Sequence, residues 1–230
     1  MNDKVSIITI NYNNKTGLQK TIDSVFKQSF KNFEYIVVDG NSTDGSKELL
    51  QLNQDKFTHY ISEPDSGIYN AMNKGIRMAT GNYLLFLNSG DCLADKDVIG
   101  KVDHQIDGNY DIYYGDIIFE ELKQKRTVIF PEQLTFNFFF TDSLSHQSSF
   151  IRKTLFDQLF YYNENFKIAS DWEFFICAIC KENVPYKHLD ILTTVYDGTG
   201  FSSTSSNYEV LYQERNAVLK KKLPGLHYRL

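Results

Sequence analysis

Short apolar runs alternate with amphipathic ones along the first hundred residues. Val5-Ser6-Ile7-Ile8-Thr9-Ile10 is β-branched and ends in polar Asn11, the pattern of a buried parallel strand. Leu18, Ile22, Val25 and Phe26 recur at helical spacing, which predicts a helix with one apolar face. Phe33-Glu34-Tyr35-Ile36-Val37-Val38 predicts a second buried strand. It stops at Asp39-Gly40-Asn41-Ser42-Thr43-Asp44-Gly45, a run of turn and N-cap residues that opens a helix near Lys47. Residues 57–61 read as a weaker third strand. Ile68, Ala71, Met72, Ile76 and Ala79 then stripe one helix, and Gly81 suits its C-terminal cap. Residues 83–87 predict a fourth strand, ending at Asn88-Ser89-Gly90-Asp91.

Crossovers in this β-α-β-α order give a parallel sheet with helices on both faces. Ligands of such sheets bind beyond the carboxyl ends of the strands. Thr9, Asp39 and Asp91 each lie at or near one of those ends. The fold class expected is therefore α/β, Rossmann-like, with a mostly parallel sheet.

After residue 110 the rhythm changes. Residues 110–119 and 123–130 alternate loosely and predict an antiparallel pair, while 136–144 is aromatic and irregular. Helices are expected from about Lys153, from Asp171 to about Lys181, and from Tyr208 to Lys222. No repeat or linker divides the chain, so one domain over 1–230 is expected. Its nucleotide half spans 1–109 and its acceptor half 110–230.

Composition narrows the partners. The 230 residues carry 24 basic and 29 acidic side chains, a formal net charge of −5, which offers no long-range attraction to nucleic acid. No apolar run approaches the roughly 20 residues that span a bilayer, and Met1-Asn2-Asp3-Lys4 is no signal peptide, so a cytosolic location is expected. Aromatic residues reach 15%, and a surplus beyond residue 110 suits a sugar or lipid pocket as well as a core. Cys177-x-x-Cys180 lies in an apolar helical pattern without a second ligand pair, so buried thiols fit it better than zinc.

The loops exclude the commoner nucleotide sites. The turn after the first strand, Asn11-Tyr12-Asn13-Asn14-Lys15-Thr16-Gly17, holds one glycine where a dinucleotide or methyl-donor enzyme needs Gly-x-Gly-x-x-Gly, and a P-loop is absent. Metal plus side chains is the remaining way to hold a diphosphate. Asp91 suits it, because a lone carboxylate can share a divalent ion with diphosphate and water, and Gly90 lets a ligand come close. Each acid alone also reads as an ordinary turn residue. In the helix after Glu63-Pro64-Asp65-Ser66-Gly67, Asn70, Asn73 and Lys74 share a polar face, and Lys74 could offset phosphate charge.

Together, residues 5–12, 34–45, 63–76 and 79–91 resemble glycosyltransferase family 2, in its order and spacing, over roughly the first 95 residues. The 63–76 block and His146-Gln147 are further similar to bacterial members that build capsular or colanic-acid-like surface polysaccharides. The resemblance implies a GT-A fold, a nucleoside-diphosphate sugar donor, Mg²⁺ or Mn²⁺, and inversion at the anomeric carbon. It places Thr9 and Asp39 at the base, usually uracil, and Asp91 at the metal, with Asp65 and Lys74 near the donor. Asn11, Tyr12, Asn41, Asn73, Ser89 and Gly90 complete the implied donor site. Ser89 stands where the family's Asp-x-Asp motif has its first acid, which leaves one metal carboxylate.

Inversion needs a base for the acceptor hydroxyl. By resemblance it is Asp171 in Ala169-Ser170-Asp171-Trp172-Glu173, with Glu173 in reserve, although Ser170 or Asp171 would also serve as an N-cap. Trp172 could stack on an acceptor or fill the core, and His146 could meet the diphosphate or metal or be structural. The acceptor implied is a saccharide or a lipid-linked saccharide, met by peripheral contact at the inner membrane face. The rival expectation is a catalytically silent nucleotide-sugar-binding module, which donor hydrolysis separates from an enzyme. The residues set neither the sugar nor the oligomeric state.

Overall fold

The structure is a computed structural model and describes residues 4–121, 124–199 and 207–224. Residues 1–3 and Lys123, on which two of the expectations above fall, lie outside these ranges. The first four strands are β1 (Val5–Asn11), β2 (Phe33–Asp39), β3 (His59–Ser62) and β4 (Tyr83–Phe86). They pair parallel in the order β3-β2-β1-β4, with Asn11 opposite Asp39 at the carboxyl ends. Between them run α1 (Lys15–Phe26), α2 (Ser46–Leu52) and α3 (Ile68–Met78). Each of these elements falls within a few residues of its expected place.

The strands are apolar on both faces because helices cover both. Ile8, Ile10, Ile36, Val38, Leu84 and Phe86 share one core with Met72 and Ile76 of α3. Ile7, Tyr35, Val37 and Leu85 share the other with Leu18 and Ile22 of α1. Gly75 lets α3 settle onto β1, since a Cβ there would come within 2.4 Å of the Ile8 side chain.

Beyond β4 come β5 (Cys92–Leu93), α4 (Val98–Asp103), β6 (Ile112–Glu121), β7 (Gln124–Val128) and α5 (Phe136–Thr141). Then follow β8 (Ser149–Arg152), α6 (Thr154–Gln158), α7 (Ser170–Ile176), β9 (Tyr186–Asp197) and α8 (Tyr208–Lys222). A single mixed sheet continues through β4-β8-β6-β9-β5. The β6–β7 hairpin, α6 and α8 match expectation, and α7 runs on as a π turn over Cys177–Lys181.

Three differences have physical causes. The aromatic stretch expected to be irregular forms α5, because Thr135 caps it by accepting the Phe138 N–H and Phe139 buries its ring. The short antiparallel β8 makes the second half of the sheet mixed. The 12-residue β9 was not expected, because Lys187, His188 and Asp190 interrupt its apolar run. It sits between β6 and β5 with both edges paired.

Candidate active site

The carboxyl ends of β1 and β2 are joined through side chains. Asp39, wholly buried, accepts Asn11 Nδ2 at 2.7 Å, the Ser42 N–H at 3.0 Å, and the Ser42 and Ser62 hydroxyls. Asn11 Oδ1 in turn accepts the Ser89 hydroxyl at 2.8 Å. One chain of bonds thus runs from Asp39 through Asn11 to the loop after β4. Thr9 is buried beneath it, its hydroxyl 3.1 Å from that of Tyr35, so it supports the floor and does not line the surface.

Tyr12 is 69% exposed. A Cβ on Gly40 would meet Asp65 Oδ2 at 2.5 Å and the Tyr12 ring at 3.1 Å, so both side chains flank Gly40 at the mouth of this floor. Asn41 takes φ +63°, a left-handed conformation that Asn tolerates, and accepts a bond from Lys47.

Two residues of α3 are placed differently from the donor role expected of them. Asn73 is buried: Nδ2 donates to the Tyr162 carbonyl and Glu164, and Oδ1 accepts the Tyr162 N–H. It pins α3 to residues 162–164. The Lys74 ammonium lies 2.8 Å from Glu63 and 2.8 Å from the Pro64 carbonyl, and so ties down the loop before α3.

The loop after β4 turns through Gly90 at φ +115°, where glycine is favoured. Thr21 holds it by accepting the Gly90 N–H at 3.0 Å and donating to the Asp91 carbonyl at 2.7 Å. Asp91 is buried, and its carboxylate accepts the N–H groups of Asp197 (2.9 Å) and Asn88 (3.2 Å) and a bond from Gln147. Burial pushes this carboxyl up to about 6, against those donors and the nearby His146. Three donors leave about one of its four acceptor positions free. Next to it, Asn88 Oδ1 is buried with no hydrogen-bond partner. Among the described residues no cluster of three or more His, Cys, Asp or Glu side chains forms a ready cation cage. The orphaned Asn88 oxygen and the incompletely used Asp91 still fit a hard cation that shares its other ligands with a diphosphate.

Asp171 opens α7. Its Oδ2 lies 2.7 Å from His146 Nδ1, and its Oδ1 accepts the Tyr69 hydroxyl at 3.0 Å and the Trp172 N–H at 2.9 Å. Burial pushes its carboxyl up, but the His146 bond and charge, the Trp172 N–H and the Tyr69 hydroxyl outweigh it. The pKa is held below the ordinary value. His146 also reaches Asn88 Nδ2 with Nε2, at 3.2 Å. The two ring nitrogens of His146 thus face Asp171 on one side and Asn88 on the other. His146 therefore links the Asp171 carboxylate to the Asp91 loop.

The neighbours of Asp171 are turned elsewhere. Trp172 is 2% exposed and donates Nε1–H to the Phe139 carbonyl at 2.7 Å, which makes it core and not an acceptor platform. Glu173, the reserve candidate, is buried and pairs through Oε1 with Lys222 of α8 at 2.8 Å. Glu214 of α8 accepts the N–H groups of Lys167, Ile168 and Ala169, fixing the approach to α7.

Sequence reading missed Tyr69, Asn88 and Asp197. Tyr69 sits beside Ile68 on the apolar stripe, with no sign that its hydroxyl meets a carboxylate. Asp197 was legible: Tyr196-Asp197-Gly198-Thr199 is an acidic strand end of the kind that marked Asp39 and Asp91.

Polar and acidic side chains thus gather at the carboxyl ends of the parallel strands, the edge where α/β sheets bind their ligands. The profile described as Glycosyl transferase family 2 matches residues 6–166, and the chain belongs to that family. A PGL/p-HBAD biosynthesis glycosyltransferase of Mycobacterium tuberculosis is 28% identical over 90% of this chain and 82% of its own length. An uncharacterised glycosyltransferase of the same species is 35% identical over 76% of this chain and 68% of its own length. In fold, the chain is similar to Staphylococcus aureus TarS 1–349 in complex with UDP. The TM-score is 0.73 at 23% identity, covering 97% of this chain and 68% of that one. It is also similar to the Pyrobaculum calidifontis mannosyltransferase PcManGT in complex with GDP-Man and Mn²⁺, at TM-score 0.65 and 15% identity, covering 94% and 61%. The expected GT-A class stands, and the protein is a glycosyltransferase.

Proposed function

We propose that the chain transfers a sugar, with inversion, from a UDP-sugar to a saccharide or lipid-linked acceptor in surface polysaccharide assembly. The observation that carries this is the Asp171 carboxylate, ionised by its three donors and tied through His146 to the Asp91 loop. In such a transfer the acceptor oxygen forms a bond to the anomeric carbon. The bond from that carbon to the diphosphate oxygen breaks, and UDP leaves with the electron pair. Asp171 takes the acceptor's proton. A single displacement inverts the anomeric centre.

Asp39 and Asn11, with Tyr12 and Asp65 at the mouth, are the residues proposed to take the nucleoside. Asp91 and Asn88 would hold Mg²⁺ or Mn²⁺, which offsets charge on the leaving diphosphate when bound. The UDP reading is supported by the TarS complexes with UDP and UDP-GlcNAc. The mycobacterial relative named for PGL/p-HBAD biosynthesis supports the transferase reading, and the lipid-linked acceptor is proposed on the sequence resemblance alone. No helix among the described residues is long and apolar enough to cross a membrane. Peripheral contact with a membrane face is part of the proposal, as the way to reach such an acceptor.

The test is UDP release from a panel of UDP-sugars with Mn²⁺, for wild type, Asp91→Asn and Asp171→Asn. Wild type should select one donor, and Asp171→Asn should lower turnover by about 10²–10⁴ while still binding UDP. Equal, slow release by all three proteins would leave a silent binding module.

A further inference from the structure

We propose that Asp197 is the second carboxylate of the divalent-cation site, supplying from the end of β9 the acid that Ser89 replaces in the strand-end motif. The inference rests on the glycosyltransferase reading above and concerns how its diphosphate is held.

Pairing of β5 with β9 (Cys92 opposite Val195, Leu93 opposite Thr194) carries the end of β9 alongside the Asp91 loop. The Asp197 N–H donates to Asp91 Oδ1 at 2.9 Å. The Asp197 carboxylate lies directly over Gly90, where a Cβ would come within 2.7 Å of Oδ2. Gly90 is thus required twice, for its φ of +115° and for the space the carboxylate occupies.

The carboxylate is also oriented. Oδ1 accepts both the N–H (3.0 Å) and the hydroxyl (2.6 Å) of Thr199, while Oδ2, the oxygen over Gly90, accepts no hydrogen bond from the described residues. Neither Asp91 nor Asp197 has an ion-pair partner among the described residues. A cation shared by the two carboxylates would offset the charge of both. Asn88 Oδ1, buried and unpartnered, adds a third oxygen. Two carboxylates and an amide oxygen form a hard, all-oxygen set, which suits Mg²⁺ or Mn²⁺ and not zinc or copper. A pure turn role for Asp197 would explain the Thr199 bonds but not the free oxygen over Gly90 beside a second unpaired acid.

The experiment measures Mn²⁺ binding by loss of the free-ion EPR signal, with and without UDP, for wild type, Asp91→Asn, Asp197→Asn and Asp197→Ala. Asp197→Asn keeps an oxygen for the Thr199 bonds. It should weaken Mn²⁺ binding about tenfold or more while UDP binding in EDTA and metal-free melting stay as in wild type. Asp91→Asn should also weaken Mn²⁺ binding, together with a lower metal-free melting temperature, because one buried N–H loses its acceptor. As a check that needs no variant, Mn²⁺ added to UDP-bound wild type should broaden the backbone amide resonances of Gly90, Asp197 and Gly198.

Wild-type affinity for Mn²⁺ in Asp197→Asn, or unbroadened amides at 197–198, would overturn the assignment. A wild type that binds UDP and turns over donor in EDTA without taking up Mn²⁺ overturns it too, and leaves the transferase reading standing. One that neither binds UDP nor turns over donor sinks that reading instead.

Discussion

His146 Nδ1 stands 2.7 Å from Asp171 Oδ2, which makes a residue 25 positions away the main partner of the carboxylate that opens α7. That bond leads the interactions that hold the Asp171 pKa below its ordinary value against burial. Replacing His146 by Ala removes the opposition and lets burial raise the pKa. The acid limb of the pH–rate profile should then move to higher pH, because the base is protonated sooner as pH falls. His146→Asn, which can still present an N–H, should restore part of the wild-type profile. An unmoved acid limb in both variants would show that His146 does not tune Asp171.

Tyr69 is buried and gives its hydroxyl to Asp171 Oδ1 while accepting the Ser170 N–H at 3.1 Å. Tyr69→Phe should cost about 1–2 kcal/mol of stability, because the Ser170 N–H loses its acceptor. It should also lower turnover while leaving UDP affinity unchanged. Denaturant melts beside UDP titrations measure both.

Glu173 is almost wholly buried and meets Lys222 at 2.8 Å. Lys222→Met strands that charge and should destabilise the protein by about 2–3 kcal/mol, less than for a fully buried pair because Lys222 is partly exposed. Adding Glu173→Gln should recover most of the loss. Urea unfolding of both variants gives the coupling, and a double variant no more stable than Lys222→Met would refute the pairing.

Glu34 on β2 accepts the Ser6 hydroxyl and both the N–H and hydroxyl of Thr80. Burial disfavours its charge, but these bonds outweigh it and its pKa is lowered. A depressed carboxyl contributes stability above its unfolded value of about 4.3 and loses it as pH falls through the folded value. Glu34→Gln should therefore cost about 1–3 kcal/mol at pH 7, and the deficit should shrink towards zero below about pH 4. Denaturation at the two pH values decides it.

The first ninety residues were readable because β1, β2 and β4 are buried on both faces, so their apolar runs are long and a polar end marks the ligand edge. Val5–Asn11 and Phe33–Asp39 are the clearest cases. Tyr186–Asp197 obeys the same burial rule less strictly, since its outward Asp190 and Leu192 are exposed and its first residues are polar. Asp171 was nameable from its helix-opening context. Its partners were not, because Tyr69 and His146 reach it only after the chain folds across 102 and 25 residues. Asn73 and Lys74 share a polar face in sequence, yet that face meets residues 162–164 and 63–64 and not open solvent.

Glu214 accepting three consecutive N–H groups before α7 has a consequence for the order in which the protein matures. A growing chain completes the β3-β2-β1-β4 platform more than a hundred residues before it makes α8. Until α8 is made, Lys167, Ile168 and Ala169 lack the acceptor that anchors their N–H groups ahead of Asp171. In the proposed assignment, the residues for the nucleoside are therefore translated well before the helix that steadies the proposed base.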